Sequence, residues 1–395
     1  MGLNTEKNII DSAKKYCYLG IMFSLSGSMK QAQNELRLKG LKAYFALTRS
    51  IDIRSLNNRS LFRLFDALVV PVFIYGCQVW FHESNFIKLL TTRSLFQDCR
   101  TSMTKISTDE TEKIHLKFIK WSLGLSAKAS NMVCWGDTDR TPIAIQVTKQ
   151  VLGYIKRLEH ISGNPEDERD PLVKYAYREQ MELSLPWYKS VKELKSVLQH
   201  ETLNPQAAKT EMETTFKNLW KSALKEYKKL TFYREVKRQI SYEPYLDIKS
   251  YSEKRVIAKL RASNHRLNCE TGRYLPRASS PMYQSAKDNS IWRKSCHTCC
   301  AEEAKALSQL PFYQPIVEDE QHVLATCSKY HHLRLQLDDN IKSTIMAWDT
   351  QNLASLFSKE NIIPFSKFLR KVFKTRFPNE ERSEDVETNT SATAN

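Results

Sequence analysis

Two short chelating pairs near the C-terminus constrain this 395-residue chain more than any other feature. Cys296 and Cys299 form a C-x2-C pair, and His322 and Cys327 follow as H-x4-C after twenty-two intervening residues. Zn²⁺ favours a tetrahedron of thiolate and imidazole, and a two-residue spacer lets both thiolates of one pair face a single ion. Four of the nine cysteines lie between Cys296 and Cys327, and the other five are scattered singly. The spacing therefore predicts a closed structural zinc site made of Cys296, Cys299, His322 and Cys327. The same residues also fit a small buried helix end with reduced, unpaired thiols. Cys300 and His297 stand close enough in sequence to compete as ligands.

Elsewhere the chain is poor in turn formers. Ten Gly and 13 Pro, with dense Leu, Lys, Glu and Ala, predict helices rather than a sandwich or barrel, in which turns recur every few residues. The hydrophobic content of 41% suffices for ordinary soluble cores, and the length allows two or three domains. Sixty Lys and Arg against 44 Asp and Glu leave a formal charge of +16, which points to a polyanionic partner such as nucleic acid. A solvated basic surface is the plainer alternative. Cysteines without framework spacing fit a reducing compartment, so cytoplasm or nucleus is expected. The first residues are polar and lack the apolar core of a secretory signal, and the apolar run from Ala67 to Phe81, with Pro71 and Gln78 inside it, falls short of a membrane span. No membrane partner is expected.

In chain order, Tyr16 to Phe23 reads as a strand entering a Ser/Gly turn. Met29 to Ile51 reads as a helix with Ala32, Leu36, Ala43 and Leu47 on one face, weakened at Gly40. Its cations, Lys30, Arg37, Lys39, Lys42 and Arg49, would serve a phosphate backbone or merely a solvated face. Asn58 to Phe81 reads as a mostly buried helix bent at Pro71. Thr108 to Trp121 is a third helix, where Glu112 and His115 stand three apart on one face and could bind metal, although a satisfied surface pair is the favoured reading. Leu123-Gly124 ends it, and Pro142 opens a helix running to His160. The polar stretch Ser162 to Pro171 is the best domain boundary, followed by helical patterns at 172–184, 187–200, 206–230 and 250–261. Between Lys221 and Arg277, 15 Lys or Arg stand against 6 acids, interleaved with Tyr227, Phe232, Tyr233, Tyr242, Tyr245 and Tyr251. That composition suits base stacking beside neutralised phosphates, and the same rings fit a core equally well.

Several of these stretches, in order, resemble reverse transcriptases of non-LTR (LINE-type) retrotransposons. Lys14-Lys15-Tyr16-Cys17-Tyr18-Leu19-Gly20-Ile21 is similar to the primer-grip hairpin at the end of the family's palm, and Leu64 to Trp80 resembles the thumb segment that follows. Glu112, His115, Phe118, Lys120, Leu123-Gly124, Asn131, Gly136 and Arg140-Thr141-Pro142 continue the pattern. Arg261-Ala262-Ser263-Asn264-His265-Arg266-Leu267, with Glu270 and Gly272-Arg273-Tyr274, resembles the run before the family's terminal Cys/His motif. That motif is matched by Cys296, Cys299, Glu318-Asp319-Glu320, His322, Cys327, Tyr330 and Arg334. The likeness covers about residues 14 to 335. It departs from the family at Trp135-Gly136-Asp137-Thr138 and at the long Cys299 to His322 gap, where Ala301 to Pro315 looks inserted.

The resemblance implies a mainly α chain with this organisation: a palm-edge hairpin at 1–27, a helical thumb at 28–160 and a basic helical domain at 172–277. A zinc-knuckle-like motif at 290–335, C-terminal helices at 341–377 and a disordered tail at 378–395 complete it. It implies that Tyr18, Leu19 and Gly20 form the primer grip. Lys30, Arg37, Lys39, Lys42, Lys228, Lys229, Arg261, Arg266 and Arg273 would contact RNA or an RNA-DNA hybrid. The paired aspartates of the family's polymerase motifs, which hold Mg²⁺, find no counterpart here: Asp338-Asp339 sits in a polar helical stretch and Asp137-Thr138-Asp139 reads as a loop. The catalytic domain is expected before Met1, which makes this chain a C-terminal fragment of an RNA-directed DNA polymerase that is inactive alone. A stand-alone nucleic-acid-binding or interaction protein derived from such an element, and a non-functional remnant, are the other readings.

Overall fold

The computed structural model describes residues 14–84, 87–89, 96–163, 171–198, 204–271, 294–296, 298–300, 316–349 and 352–378. The expectations for Arg273, His297, the 301–315 stretch and the tail beyond 378 lie outside the described residues. The chain is mainly helical with one small antiparallel sheet. Strands β1 (Lys15–Tyr18) and β2 (Ile21–Ser24) precede α1 (Lys30–Ser50), α2 (Asn58–Leu68), α3 (Val70–Phe73) and α4 (Cys77–Trp80). Then come α5 (Cys99–Ser107), α6 (Glu110–Leu123), α7 (Asn131–Thr138), α8 (Ile143–Gly163), α9 (Pro171–Glu182) and α10 (Pro186–Val197). The last are α11 (Pro205–Leu224), α12 (Thr231–Val236), α13 (Tyr251–Arg261), α14 (Asn268–Thr271), α15 (His331–Arg334), α16 (Asp339–Ala347) and α17 (Ile362–Arg376).

Two compact units divide the chain, each assembled from separated segments. The first comprises Met1–Leu47, Phe65–His115 and Pro142–Phe216; the second comprises Thr48–Leu64, Leu116–Thr141 and Lys217–Asn395. The polar stretch at 162–171 does not separate them, because α8 and α9 on either side of it pack together within the first unit.

In the first unit β1 and β2 pair as a hairpin in which Tyr18 faces Ile21. Leu19 and Gly20 make its two-residue turn with φ of 46° and 82°, the left-handed pair that matches strand twist. On α1 the residues Ala32, Leu36, Gly40, Tyr44 and Leu47 are buried at helical spacing, and Ala43 is not among them. Gly40 has a packing reason, since a Cβ there would sit 2.8 Å from the Phe73 ring. The expected bent helix from Asn58 to Phe81 is a broken one. Pro71 in the first turn of α3 and Gly76 at φ 60° interrupt it, and the arms diverge by 59°. Among the described residues no single helix is long and apolar enough to cross a membrane.

Glu112 and His115, expected on the surface, are fully buried in this unit. His115 Nδ1 lies 3.0 Å from Glu112 Oε1, its ring stacks on Phe65, and the Ile143 amide donates to Glu112 Oε2 at 2.9 Å. The carboxylate thus caps α8, joining two helices by a buried pair.

In the second unit α13 and α17 lie against one another, burying Ile257, Ala258 and Leu260 from one and Phe365, Phe368, Leu369 and Val372 from the other. Each of the larger side chains among these, Ala258 excepted, contributes on the order of 1.5–3 kcal/mol. The helix expected over 206–230 stops at Leu224, and the Arg234 guanidinium donates to the Lys225 carbonyl across the turn to α12. Phe232, Tyr233 and Tyr245 are buried, so these rings belong to the core and not to a stacking surface. At its centre Asp137 is fully enclosed. Its Oδ1 accepts from Arg261 Nη2 at 2.7 Å and Tyr233 Oη at 2.8 Å; Oδ2 accepts from Arg261 Nε at 2.8 Å and Tyr245 Oη at 2.9 Å.

Candidate metal centre

The two chelating pairs meet within the second unit. Ligand atoms of Cys296, Cys299, His322 and Cys327 all lie within 4.8 Å of one another, and all four residues are buried. The Cys327 sulfur is 3.9 Å from that of Cys296 and 3.7 Å from that of Cys299. A disulfide would need about 2.05 Å. Two thiolates on one tetrahedral ion at about 2.3 Å stand roughly 3.8 Å apart, and the observed spacing matches this. The four residues could hold a metal ion such as zinc.

The backbone explains how separated pairs converge. Ser295 and Val317 form an antiparallel bridge, in which Cys296 N donates to Ile316 O and Glu318 N to Lys294 O, both at 2.8 Å. That clamp sets the C-x2-C turn beside the second pair. Residues five apart on an α-helix would diverge by about 140°. Here His322–Thr326 is a wider π-helical turn closed by a 2.7 Å bond from Cys327 N to His322 O, and both side chains turn inward.

The imidazole is oriented for ligation. His322 Nδ1 lies 3.1 Å from Thr326 Oγ1, and Nε2 is buried without a hydrogen-bond partner. With Nδ1–H donating to the threonine, Nε2 keeps its lone pair for a metal, the usual role of such an outer partner. The hydrogen bond from the Cys327 thiol, with a smaller contribution from His322, pulls the Cys296 thiol below its usual range against the opposing effect of burial, and Cys327 is pushed up in turn. A bound cation would displace the thiol protons of the three cysteines. The Arg334 guanidinium, also buried, donates to the Cys327 and Leu324 carbonyls and places its charge beside the cluster. Cys300 points elsewhere, its thiol toward the Ile316 carbonyl at 3.7 Å, so it is not a fifth ligand.

Three consecutive carboxylates hold this loop. Glu318 takes a fork from Arg376 at 2.7 and 3.0 Å and accepts from the Asn268 amide at 2.9 Å. Asp319 Oδ1 accepts from the His322 amide at 2.8 Å. Glu320 Oε1 accepts from His265 Nε2 at 2.8 Å and Ser263 Oγ at 3.3 Å. His265, Cys269 and Glu320 are also close enough to share an ion. The 2.8 Å contact between imidazole and carboxylate is, however, a hydrogen bond, shorter than the roughly 3.3 Å that two ligands keep on a small tetrahedral ion. Nothing in the spacing of the acidic triplet signals these roles, nor that Thr326 orients His322 or that Arg376, at the basic end of the last helix, pairs with Glu318.

The other expected site residues are dispersed. Tyr18, Leu19 and Gly20 form the exposed hairpin tip in the first unit, where Tyr75 Oη donates to the Leu19 carbonyl at 2.9 Å. An open groove of about 650 Å³ runs beneath, lined in part by Tyr18, Tyr75, Gln146 and Gln150. Lys30 and Lys42 are exposed; Arg37 pairs with Glu110 at 2.9 Å, and Lys39 donates to the Gly20 carbonyl at 3.3 Å. In the second unit Lys228 and Arg266 are exposed, and Lys229 pairs with Glu270 at 3.3 Å. Arg261 is no phosphate contact: it is fully buried and neutralised by Asp137. Compared with protein-family models, curated proteins and solved structures, the chain finds no match.

Proposed function

We propose that this chain is a C-terminal part of a non-LTR retrotransposon reverse transcriptase. It grips RNA or an RNA-DNA hybrid beside a polymerase active site carried elsewhere, with a structural zinc ion at Cys296, Cys299, His322 and Cys327. The observation that carries the reading is the buried four-ligand cluster, at the spacing and thiol separations a tetrahedral ion requires. The ion would fix the loop, and the catalysis, with its Mg²⁺, belongs to the palm. The exposed tip at Tyr18, Leu19 and Gly20, beside Lys39, supports a grip on a primer end, with Lys30, Arg37 and Lys42 along α1 for phosphates.

Metal content and hybrid binding test the two parts. Purified chain carries about one zinc per molecule, and C299S/C327S loses it. Replacing Lys30, Arg37, Lys39 and Lys42 with Gln weakens binding to an RNA-DNA hybrid and flattens its salt dependence. Metal-free wild-type protein, or binding that ignores these four cations, would count against the proposal.

A further inference from the structure

A second basic surface, separate from α1, lies on α17. Lys367, Arg370, Lys371 and Lys374 occupy positions i, i+3, i+4 and i+7, which on an α-helix form one stripe, and all four are exposed. The opposite face, with Phe365, Phe368, Leu369 and Val372, is buried in the second unit, so the helix presents its cations from a rigid support. Between Ile362 and Arg376 there is no acidic residue. Arg376, off the stripe, spends its charge on Glu318, and Lys371 Nζ donates to the neutral amide oxygen of Gln336 at 3.0 Å. The exposed imidazoles of His331 and His332 stand on α15, which packs against the same helix.

Resting on the nucleic-acid reading above, we propose that this stripe is a docking surface for the sugar-phosphate backbone of RNA or of an RNA-DNA hybrid. From Lys367 to Lys374 it covers roughly 10 Å of helix axis, enough for several consecutive phosphates. A lipid surface fits less well. A membrane-seated helix presents a broad apolar face to acyl chains, whereas the apolar face of α17 is consumed by the core, leaving only Ile363 exposed in line with the cations. Four cations on one exposed helix face supply phosphate contacts, which position a backbone without carrying sequence information, so the surface binds by charge.

The test uses the full chain and K367Q/R370Q/K371Q/K374Q. Because the substituted side chains are exposed, metal content and thermal midpoint match wild type, which certifies the fold. Binding to a fluorescent RNA-DNA hybrid of random sequence is measured across a salt series, alongside phosphatidylcholine vesicles containing phosphatidylserine. The expected result is a log K against log salt slope shallower by about 3, at 0.7–0.9 per lost phosphate contact. The α1 variant, K30Q/R37Q/K39Q/K42Q, serves as the parallel arm. An unchanged slope in the α17 variant, with a reduced one in the α1 variant, overturns this inference and leaves the nucleic-acid reading standing. Wild-type chain that binds no hybrid overturns both. Stripe-dependent binding to the vesicles but not to the hybrid overturns it in favour of a lipid surface.

Discussion

The second unit buries two polar clusters, and they are completed in opposite ways. Asp137 is saturated from within: four donors from Arg261, Tyr233 and Tyr245 occupy its two oxygens. Burial would raise this carboxyl, yet the Arg261 charge and its hydrogen bonds hold it below the usual range. The Cys/His cluster faces inward, with three sulfurs and the His322 imidazole brought within 4.8 Å of one another. A buried group that finds all its partners in the chain is architecture. One that gathers several soft ligand atoms within reach of a common point could hold a metal ion.

Breaking the Asp137 cluster has the largest expected effect. R261M leaves a carboxylate uncompensated and costs about 3–5 kcal/mol in urea unfolding; a loss below about 1 kcal/mol would remove the distinction between the clusters. T326A frees the His322 ring and is expected to weaken zinc affinity by roughly 10–100-fold in a competition titration while unfolding of the metal-loaded protein changes little. Acid separates the two by pH. The folded pKa of Asp137 is depressed, so its contribution is present above its unfolded value near 3.9 and is lost as pH falls below that. Zinc, whose ligands must be deprotonated, leaves at higher pH, and metal release should precede the loss of near-ultraviolet dichroism. The smallest effect is at the surface: R59Q removes the exposed pair with Asp247 at 3.4 Å, and the urea unfolding midpoint is expected to stay where it is in wild type.

The convergence of Cys296, Cys299, His322 and Cys327 was legible because its information is local in type and spacing: few residues other than Cys and His do this chemistry, and two tight pairs suffice. The helical class and the end of α6 at Gly124 were legible for similar reasons; the run from Tyr16 to Phe23, which reads from its residues as one strand before a Ser/Gly turn, is instead two strands folded at Leu19-Gly20, a hairpin that only the family resemblance implies. Charge was the poor guide. Arg261 belongs to a run of cations, and only its partner 124 residues away shows that it is spent inside. Glu112 and His115 look like a surface pair until Phe65 and the start of α8 close over them. Phe232, Tyr233 and Tyr245 could equally have been stacking rings or core. Such assignments depend on which distant segment arrives, and periodicity along one helix cannot encode that.

Glu318, Asp319 and Glu320 are adjacent in the chain yet serve three different partners: the last turn of α17, the amide that opens the π turn, and His265. Their contacts therefore share a single phase. Moving this strand by one residue would misplace all three at once and carry His322 away from the sulfurs, so the loop has no half-correct arrangement. The tripeptide acts as a ratchet pawl: it lets the metal ligands meet in one register and denies them every neighbouring one.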